Sequence, residues 1–177
     1  MLSEGYPGRH LYATWMLRDR SLARRVFQAP EIIEGWILYS EELARERGFY
    51  REPEHLVLTY LEQLAWAARM RADIKLNAGL ASLEEVAREL AEALGVPVEQ
   101  AMGEVLLYPY RPTQQLGPYY GKTAIRRLKM LAKRMLKERF DEQAFHKALL
   151  DEGALPANLL GEAVLSRLCG AVHGDQC

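Results

Sequence analysis

Two glutamates spaced for one face of a helix are the first candidates for chemistry. Glu34 and Glu41 lie seven residues apart, which is two helical turns, and Trp36 lies on the same stripe. Two carboxylates placed in this way could bind a metal ion, or they could be a structural pair closed by salt bridges. Because carboxylates on helices are mostly solvated, the spacing alone favours the structural interpretation.

The four histidines, His10, His55, His146 and His173, show no metal-binding spacing of their own. No two of them stand four residues apart, so no helix carries a pair of imidazoles on one face. A single histidine on a helix fills many structural roles. For His55 and His173 we therefore expect a structural role.

Charged side chains suggest two further features. Arg69 and Asp73 stand four residues apart beside the apolar stretch 65–68, which predicts a partly buried ion pair. The segment 122–139 carries eight lysines and arginines against the single acid Glu138. Its aromatic residues do not interleave with the basic ones, so we expect a face that is solvated or paired within the chain, with binding to a nucleic-acid backbone as the less favoured alternative.

The elements that must position these residues are all helical. Apolar residues recur at three- and four-residue spacing and nowhere alternate, which predicts an all-α domain of seven or eight helices. Proline should hold residues 108–112 in an extended loop, because a residue before proline avoids the helical region. The predicted helices cover residues 8–27 with a break near Ser21, 31–47, 53–76, 82–94, 96–107, 116–140, 141–150 and 156–172.

Composition sets the class of protein. The 177 residues, 49% hydrophobic and 27% charged with a net charge of -1, predict one globular domain over residues 1–177. Neither a signal peptide nor a membrane-spanning run is evident, which predicts a cytoplasmic protein that uses no membrane. In that compartment Cys169 and Cys177 should be free thiols. Only two asparagines occur, which hints at a thermophilic source.

Five blocks of sequence together resemble one family. Residues 3–11 read SEGYPGRHL and are similar to a motif HExxPGHHL; residues 34–41 read EGWILYSE and are similar to EGWALYAE. Further similarities are Arg69 and Asp73 to an RxxxD pair, residues 112–121 to PGQALSYxxG, and residues 140–160 to a closing FD, FH and GALP pattern. Over residues 3–165 the chain thus resembles the C-terminal half of a large, mostly uncharacterised bacterial family of helical proteins. These are zinc-metallopeptidase-like and distantly similar to thermostable carboxypeptidases and angiotensin-converting enzyme. Residues 166–177 are expected to form a frayed tail.

The resemblance implies a zinc site that this chain has lost. In such a family two histidines of the first motif and an acid of the next helix would hold zinc, and the motif glutamate would be the general base. Here Ser3 and Arg9 stand at the two histidine positions, and Glu4 is left as a vestigial base. Other departures are Asn77, where the family has a histidine, and Pro118, where it has a tyrosine that the adjacent Tyr119 could replace. By the same resemblance His146 is retained as a catalytic histidine.

Two hypotheses follow. The first is a non-catalytic helical protein without a cofactor, which keeps a groove for a peptide or protein; the groove residues implied are Arg9, His10, Trp36, Tyr39, Arg69 and Asp73. It would assemble as a homo-oligomer, or with a partner chain that supplies the absent N-terminal half. The second is a zinc-dependent peptidase or other hydrolase with a rearranged or partner-completed site, using His10 with Glu34 or Glu41.

Overall fold

The computed structural model describes residues 2–18 and 21–171, and these contain helices and turns but no strand. The predicted all-α fold is confirmed. The α-helices of the described residues are α1 (Arg9–Met16), α2 (Leu22–Val26), α3 (Pro30–Glu46), α4 (Pro53–Asn77), α5 (Leu83–Leu94), α6 (Val98–Val105), α7 (Leu116–Leu136), α8 (Glu142–Glu152) and α9 (Ala157–Ala171). Two 3₁₀ turns, Tyr108–Tyr110 and Lys137–Arg139, complete them.

Local signals set most of the helix ends. The Ser82 hydroxyl accepts from the Glu85 amide while the Glu85 carboxylate accepts from the Ser82 amide, which is the predicted capping box. Asp141 caps α8 by accepting from the amide of Ala144 at 2.9 Å. Ser21 accepts from the amide of Arg24 and starts α2. The predicted break near Ser21 therefore divides the first segment into two helices.

The predicted extended loop at residues 108–112 is wrong in its first part. Tyr108–Tyr110 forms a 3₁₀ turn, in which Tyr108 is buried and its hydroxyl donates to Glu104 at 2.5 Å. Burial of that ring outweighs the steric preference of a residue that precedes proline. The preference does hold at Arg111, before Pro112, where φ is -142° and ψ is 66°.

The chain divides into two compact units. The first comprises Met1–Ser40 with Tyr120–Cys177, and the second comprises Glu41–Tyr119. Helices α3 and α7 each contribute residues to both units. The core of the first unit is built from α1, α3, α7, α8 and α9, and its most buried members include Tyr12, Ile32, Trp36, Ile125, Phe145, Leu149 and Val164. The second unit packs α4, α5 and α6 around Ala72, Val86, Leu90, Val105 and Tyr108.

A glycine pair lets α3 and α7 touch through their backbones within the first unit. A Cβ on Gly35 would lie 2.3 Å from the carbonyl carbon of Gly121. A Cβ on Gly121 would lie 1.7 Å from the carbonyl oxygen of Glu31. Neither position can hold a side chain unless the helices separate, and Glu34 and Trp36 flank this contact on α3.

The C-terminal segment differs from two expectations. Helix α9 continues through residues 166–171, part of the stretch predicted as a frayed tail, because Leu168 is buried in the core. Cys169 is disulfide-bonded, so the free-thiol prediction is wrong for this residue. His173 and Cys177 lie outside the described residues. No helix in the described ranges combines the length and the apolar composition needed to cross a bilayer.

Candidate functional site

The N-terminal motif folds back as a compact turn onto the start of α1. The amide of Arg9 donates to the carbonyl of Ser3 at 2.7 Å, and the amide of His10 donates to the carbonyl of Glu4 at 3.2 Å. Gly8 allows this turn, because a Cβ there would lie 2.1 Å from the Ser3 carbonyl oxygen. The turn brings the side chain of Glu4 beside that of Arg9.

Arg9 is the centre of an ionic triad with Glu4 and Glu34. Its two terminal nitrogens donate to the two oxygens of Glu34 at 2.9 and 3.0 Å, a bidentate arrangement across 25 residues of sequence. Its Nε donates to Glu4 at 3.0 Å. The hydrogen bonds and negative charge of Glu34, with a smaller contribution from Glu4, raise the pKa of Arg9. One permanent cation is thus shared by two carboxylates.

Zinc does not fit this arrangement. Both oxygens of Glu34, one of the two acids of α3 proposed as a metal ligand, already bind a guanidinium. Ser3 and Arg9 are not usual zinc ligands. His10 is exposed, and its ring packs edge-on against Tyr6 with centroids 5.4 Å apart. Across residues 2–18 and 21–171, no group of three or more His, Cys, Asp or Glu side chains is placed to hold a metal ion.

Three predicted site residues, Trp36, Tyr39 and His146, do come together in the first unit. The Tyr39 hydroxyl lies 2.7 Å from Nε2 of His146, and the Trp36 ring packs edge-on against the same imidazole at 6.1 Å. Trp36 also donates its indole N–H to the carbonyl of Pro7 at 2.9 Å. The buried Trp36 therefore connects the N-terminal turn to the Tyr39–His146 pair.

Lys129 and Glu142 extend this cluster, and the sequence patterns did not single them out as a pair. Lys129 of α7 forms a short salt bridge with Glu142 of α8 and lies 5.5 Å from the centroid of the Tyr39 ring. Burial alone would lower the pKa of Lys129, but its hydrogen bonds with Glu142 and Tyr39 raise it. The sequence showed a basic helix in a chain whose other segments are acidic, which predicts pairing within the chain. It does not predict that Lys129 pairs with Glu142.

An open apolar groove of about 530 Å³ lies along α1, α2 and the start of α3. Its lining combines apolar side chains with two arginines, Arg9 and Arg25, and the apolar members are Tyr12, Ala13, Met16, Leu17, Leu22, Val26 and Ile33. Leu17, Leu22 and Val26 are each more than half exposed. The volume falls in the range of small-ligand and peptide side-chain sites.

Glu41 and Tyr119 belong to the second unit. Burial, together with a hydrogen bond and the negative charge of Glu41, raises the pKa of Glu62 to about 7. Glu34 and Glu41 therefore have different partners. Glu34 pairs with Arg9, whereas Glu41 faces the carboxyl group of Glu62. Tyr119 is half-buried at the end of this unit. The sequence contains no local signal for Glu62, which is 21 residues from Glu41.

The predicted ion pair between Arg69 and Asp73 is wrong. Arg69 instead forms a fork with Glu104 at 2.8 and 3.2 Å. Burial alone would raise the pKa of Glu104, but the hydrogen bonds from Arg69 and Tyr108 hold it below its ordinary value.

Asp73 is 1% exposed and serves as a backbone anchor. It accepts the amides of Thr113 and Gln115 at 3.1 and 2.9 Å, and it accepts from the side chain of Asn77 at 2.7 Å. Three hydrogen bonds thus satisfy most of the acceptor capacity of Asp73 without Arg69. Arg69 and Asp73, which we predicted to line a groove, thus form contacts within the second unit.

Comparison with known proteins places the chain in a wider context. The family model described as bacterial protein of unknown function (DUF885) matches residues 1–164. A candidate lipoprotein from Colwellia psychrerythraea is similar at 30% identity with a TM-score of 0.88, over 96% of this chain and 29% of that one. A candidate lipoprotein of unknown function from Shewanella oneidensis shares the fold at 22% identity with a TM-score of 0.82, over 91% of this chain and 30% of that one. No curated protein matches significantly.

Proposed function

The chain belongs to the DUF885 family of bacterial proteins of unknown function, and we propose that it is a non-catalytic member that binds a peptide or protein. It spans about 29% of the length of the Colwellia structure and about 30% of the Shewanella one, less than the half that the sequence resemblance implied. An activity of those longer proteins would therefore not by itself be an activity of this chain.

The observation that carries the proposal is the ionic triad. In the zinc-peptidase interpretation of the family, an acid of α3, Glu34 or Glu41, would bind the metal and Glu4 would activate water. Arg9 donates to Glu34 and to Glu4, and these contacts compete with both roles. A dication placed beside a guanidinium would be repelled by it, and in a partly buried site that repulsion is weakly screened. In this proposal Glu4, Arg9 and Glu34 stabilise the fold and do not take part in catalysis.

The groove along α1 and α2 supplies the binding surface. Its apolar wall suits an aliphatic side chain, and Arg25 at its edge favours an anionic group nearby. A cytoplasmic location stays a prediction, and the disulfide at Cys169 weighs against it because disulfides are typical of oxidising compartments.

Zinc titration and a peptidase assay test the non-catalytic part. We expect the wild-type protein to bind zinc no tighter than about 100 µM by calorimetry. The Ser3→His/Arg9→His variant should gain at least a tenfold higher affinity, because it restores the two imidazoles implied by the resemblance and removes the competing cation. Zinc-dependent hydrolysis of a peptide by the wild-type protein, abolished by Glu4→Gln, would contradict the proposal and support a hydrolase with a rearranged site.

Fluorescence anisotropy tests the binding part. The probe is a fluorescein-labelled hexapeptide of alternating leucine and glutamate, which matches an apolar groove with a basic edge. Leu22→Asp, within the groove, should weaken its binding by about tenfold or more, since a charge replaces an apolar contact. Phe27→Asp is the matched control, because Phe27 is equally exposed but does not line the groove. Equal binding by both variants would contradict the assignment of this groove.

A further inference from the structure

The first half of α4 carries apolar side chains that its own unit does not cover. Val57, Leu61 and Leu64 are 56%, 53% and 52% exposed, and the neighbouring Leu58 and Tyr60 are exposed to a similar extent. A helix that is apolar around most of its circumference is normally buried. The exposed face of α4 is therefore a candidate interface.

The exposed residues follow the spacing of a two-helix seam. Glu54, Val57, Leu61, Leu64, Ala68 and Arg71 are separated alternately by three and four residues, the repeat that keeps side chains on one stripe of a helix. We call these six residues the α4 stripe. A shallow groove of about 230 Å³ opens beside its C-terminal half, lined by Leu64, Ala67, Ala68, Arg71, Ala72, Glu89, Leu90 and Ala93.

The α4 stripe is complementary to itself when read in the opposite direction. About a point between Leu61 and Leu64, the larger Val57 falls opposite the small Ala68, and the acidic Glu54 falls opposite the basic Arg71. The groove beside Ala68 would receive the ridge formed by Val57 and Leu61. Two-fold symmetry repeats each of these pairs, which is the property that an isologous interface requires.

We infer that the α4 stripe is the interface of a homodimer, in which α4 of a second copy packs antiparallel across it. The exposed apolar side chains of the α4 stripe, Val57, Leu61 and Leu64, together with the adjacent Leu58 and Tyr60, leave about 500 Å² of surface on each copy. That is less than the roughly 800 Å² that each partner contributes to a standard interface, so we expect a dissociation constant in the micromolar range. The inference does not depend on the non-catalytic function proposed above, because no residue of the ionic triad takes part.

Sedimentation equilibrium of the purified full chain provides the first test. The wild-type protein should convert from monomer to dimer between about 1 and 200 µM. Leu61→Asp should raise the dissociation constant at least about 100-fold, since two-fold symmetry introduces the charge twice beside apolar partners. Leu80→Asp is the matched control: Leu80 is an exposed leucine of the same unit outside the α4 stripe. Circular dichroism of each variant verifies that it has folded.

A charge exchange tests the antiparallel register. Glu54→Arg should weaken the dimer about tenfold, because it places two arginines opposite each other at both ends of the seam. Adding Arg71→Glu to Glu54→Arg should recover most of the lost dimer affinity. Arg71 also lies 3.2 Å from Glu89 in its own chain, so the informative comparison is between Glu54→Arg and the double variant.

Each of three results would overturn the inference. They are a wild-type chain that stays monomeric throughout the range, a dimer that Leu61→Asp leaves intact, and a folded double variant no tighter than Glu54→Arg. Assembly only with a different polypeptide would give the first result and would assign the α4 stripe to that other partner.

Discussion

Removal of Arg9 should expose the energetic role of the ionic triad. In Arg9→Ala, Glu4 and Glu34 lose their shared partner and are left as two carboxylates near one another. The side chains of Arg9 and Glu34 are 42% and 34% exposed, so their interaction is neither fully screened nor fully desolvated. A bidentate charged pair at this depth should contribute about 1 to 1.5 kcal/mol to the free energy of unfolding. Glu4 is 62% exposed, and its single contact should contribute no more than about 0.5 kcal/mol.

The total for Arg9→Ala is therefore a loss of about 1 to 2 kcal/mol in the free energy of unfolding. In a chain of this size that loss lowers the melting temperature by roughly 2 to 8 °C. Urea unfolding followed by circular dichroism measures it, and Arg25→Ala is a control because Arg25 is an arginine of the same unit with no role in the triad. At about 1 M salt the loss should fall by half or more, because screening then acts within about 3 Å.

A double-mutant cycle separates the pair energy from effects of each side chain alone. The coupling free energy between Arg9→Ala and Glu34→Ala should be about 1 kcal/mol or more. Coupling of Arg9→Ala with Glu4→Ala should be less than half of that, since only one exposed contact is shared. A coupling between Arg9 and Glu34 below about 0.3 kcal/mol would refute our account, because the triad would then contribute nothing measurable.

Two further predictions concern helix packing and pH. Gly121→Ala should lower the free energy of unfolding by about 3 kcal/mol, measured by urea denaturation, because the added methyl group must separate α3 from α7. Gly170→Ala is the control and should be nearly neutral, because the space at its Cβ position is open. Equal losses in the two variants would contradict the close-contact explanation. The raised pKa of Glu62, about 7, means that the folded state binds the proton more tightly than the unfolded state, so its contribution to stability is complete below about pH 4.5 and is lost as pH rises through 7. Because the Glu62 side chain is partly solvated, the loss should be about 1 kcal/mol between pH 5 and pH 8, and Glu62→Gln should remove it; an unchanged pH dependence in that variant would refute the assignment.

The helices were predictable because their signals are local. Ser82 with Glu85, Asp141, Pro53 and the glycine at position 95 each act within one helical turn of a helix end, and the structure uses them as expected. Tyr108 shows the limit of such rules, since burial of its ring in the core of the second unit, in the same cluster as Ala72 and Val86, decides the backbone of that turn. Local preferences fail where a distant contact contributes more free energy than the preference costs.

The partners of charged residues were much less predictable. Spacing paired Arg69 with Asp73, but an arginine can reach any carboxylate that the fold brings close, and Glu104 is 35 residues away. Asp73 instead accepts two loop amides, which spacing along α4 does not predict. The motif identified Arg9 as a residue of interest, whereas its bidentate contact with Glu34 depends on how α1 packs against α3.

The ionic triad gives both Glu4 and Glu34 a role that needs no metal. Two acids held near each other by the fold repel unless a cation lies between them, and a guanidinium attached to the chain supplies that charge in every molecule without depending on metal supply. Once Arg9 is present, loss of Glu34 would leave Arg9 without its bidentate partner, and loss of Arg9 would leave the acids uncompensated. Each residue then stabilises the position of the others. The presence of Glu4 and Glu34 is therefore no argument for hydrolysis in this chain, because their contacts with Arg9 give both residues a structural role without a metal.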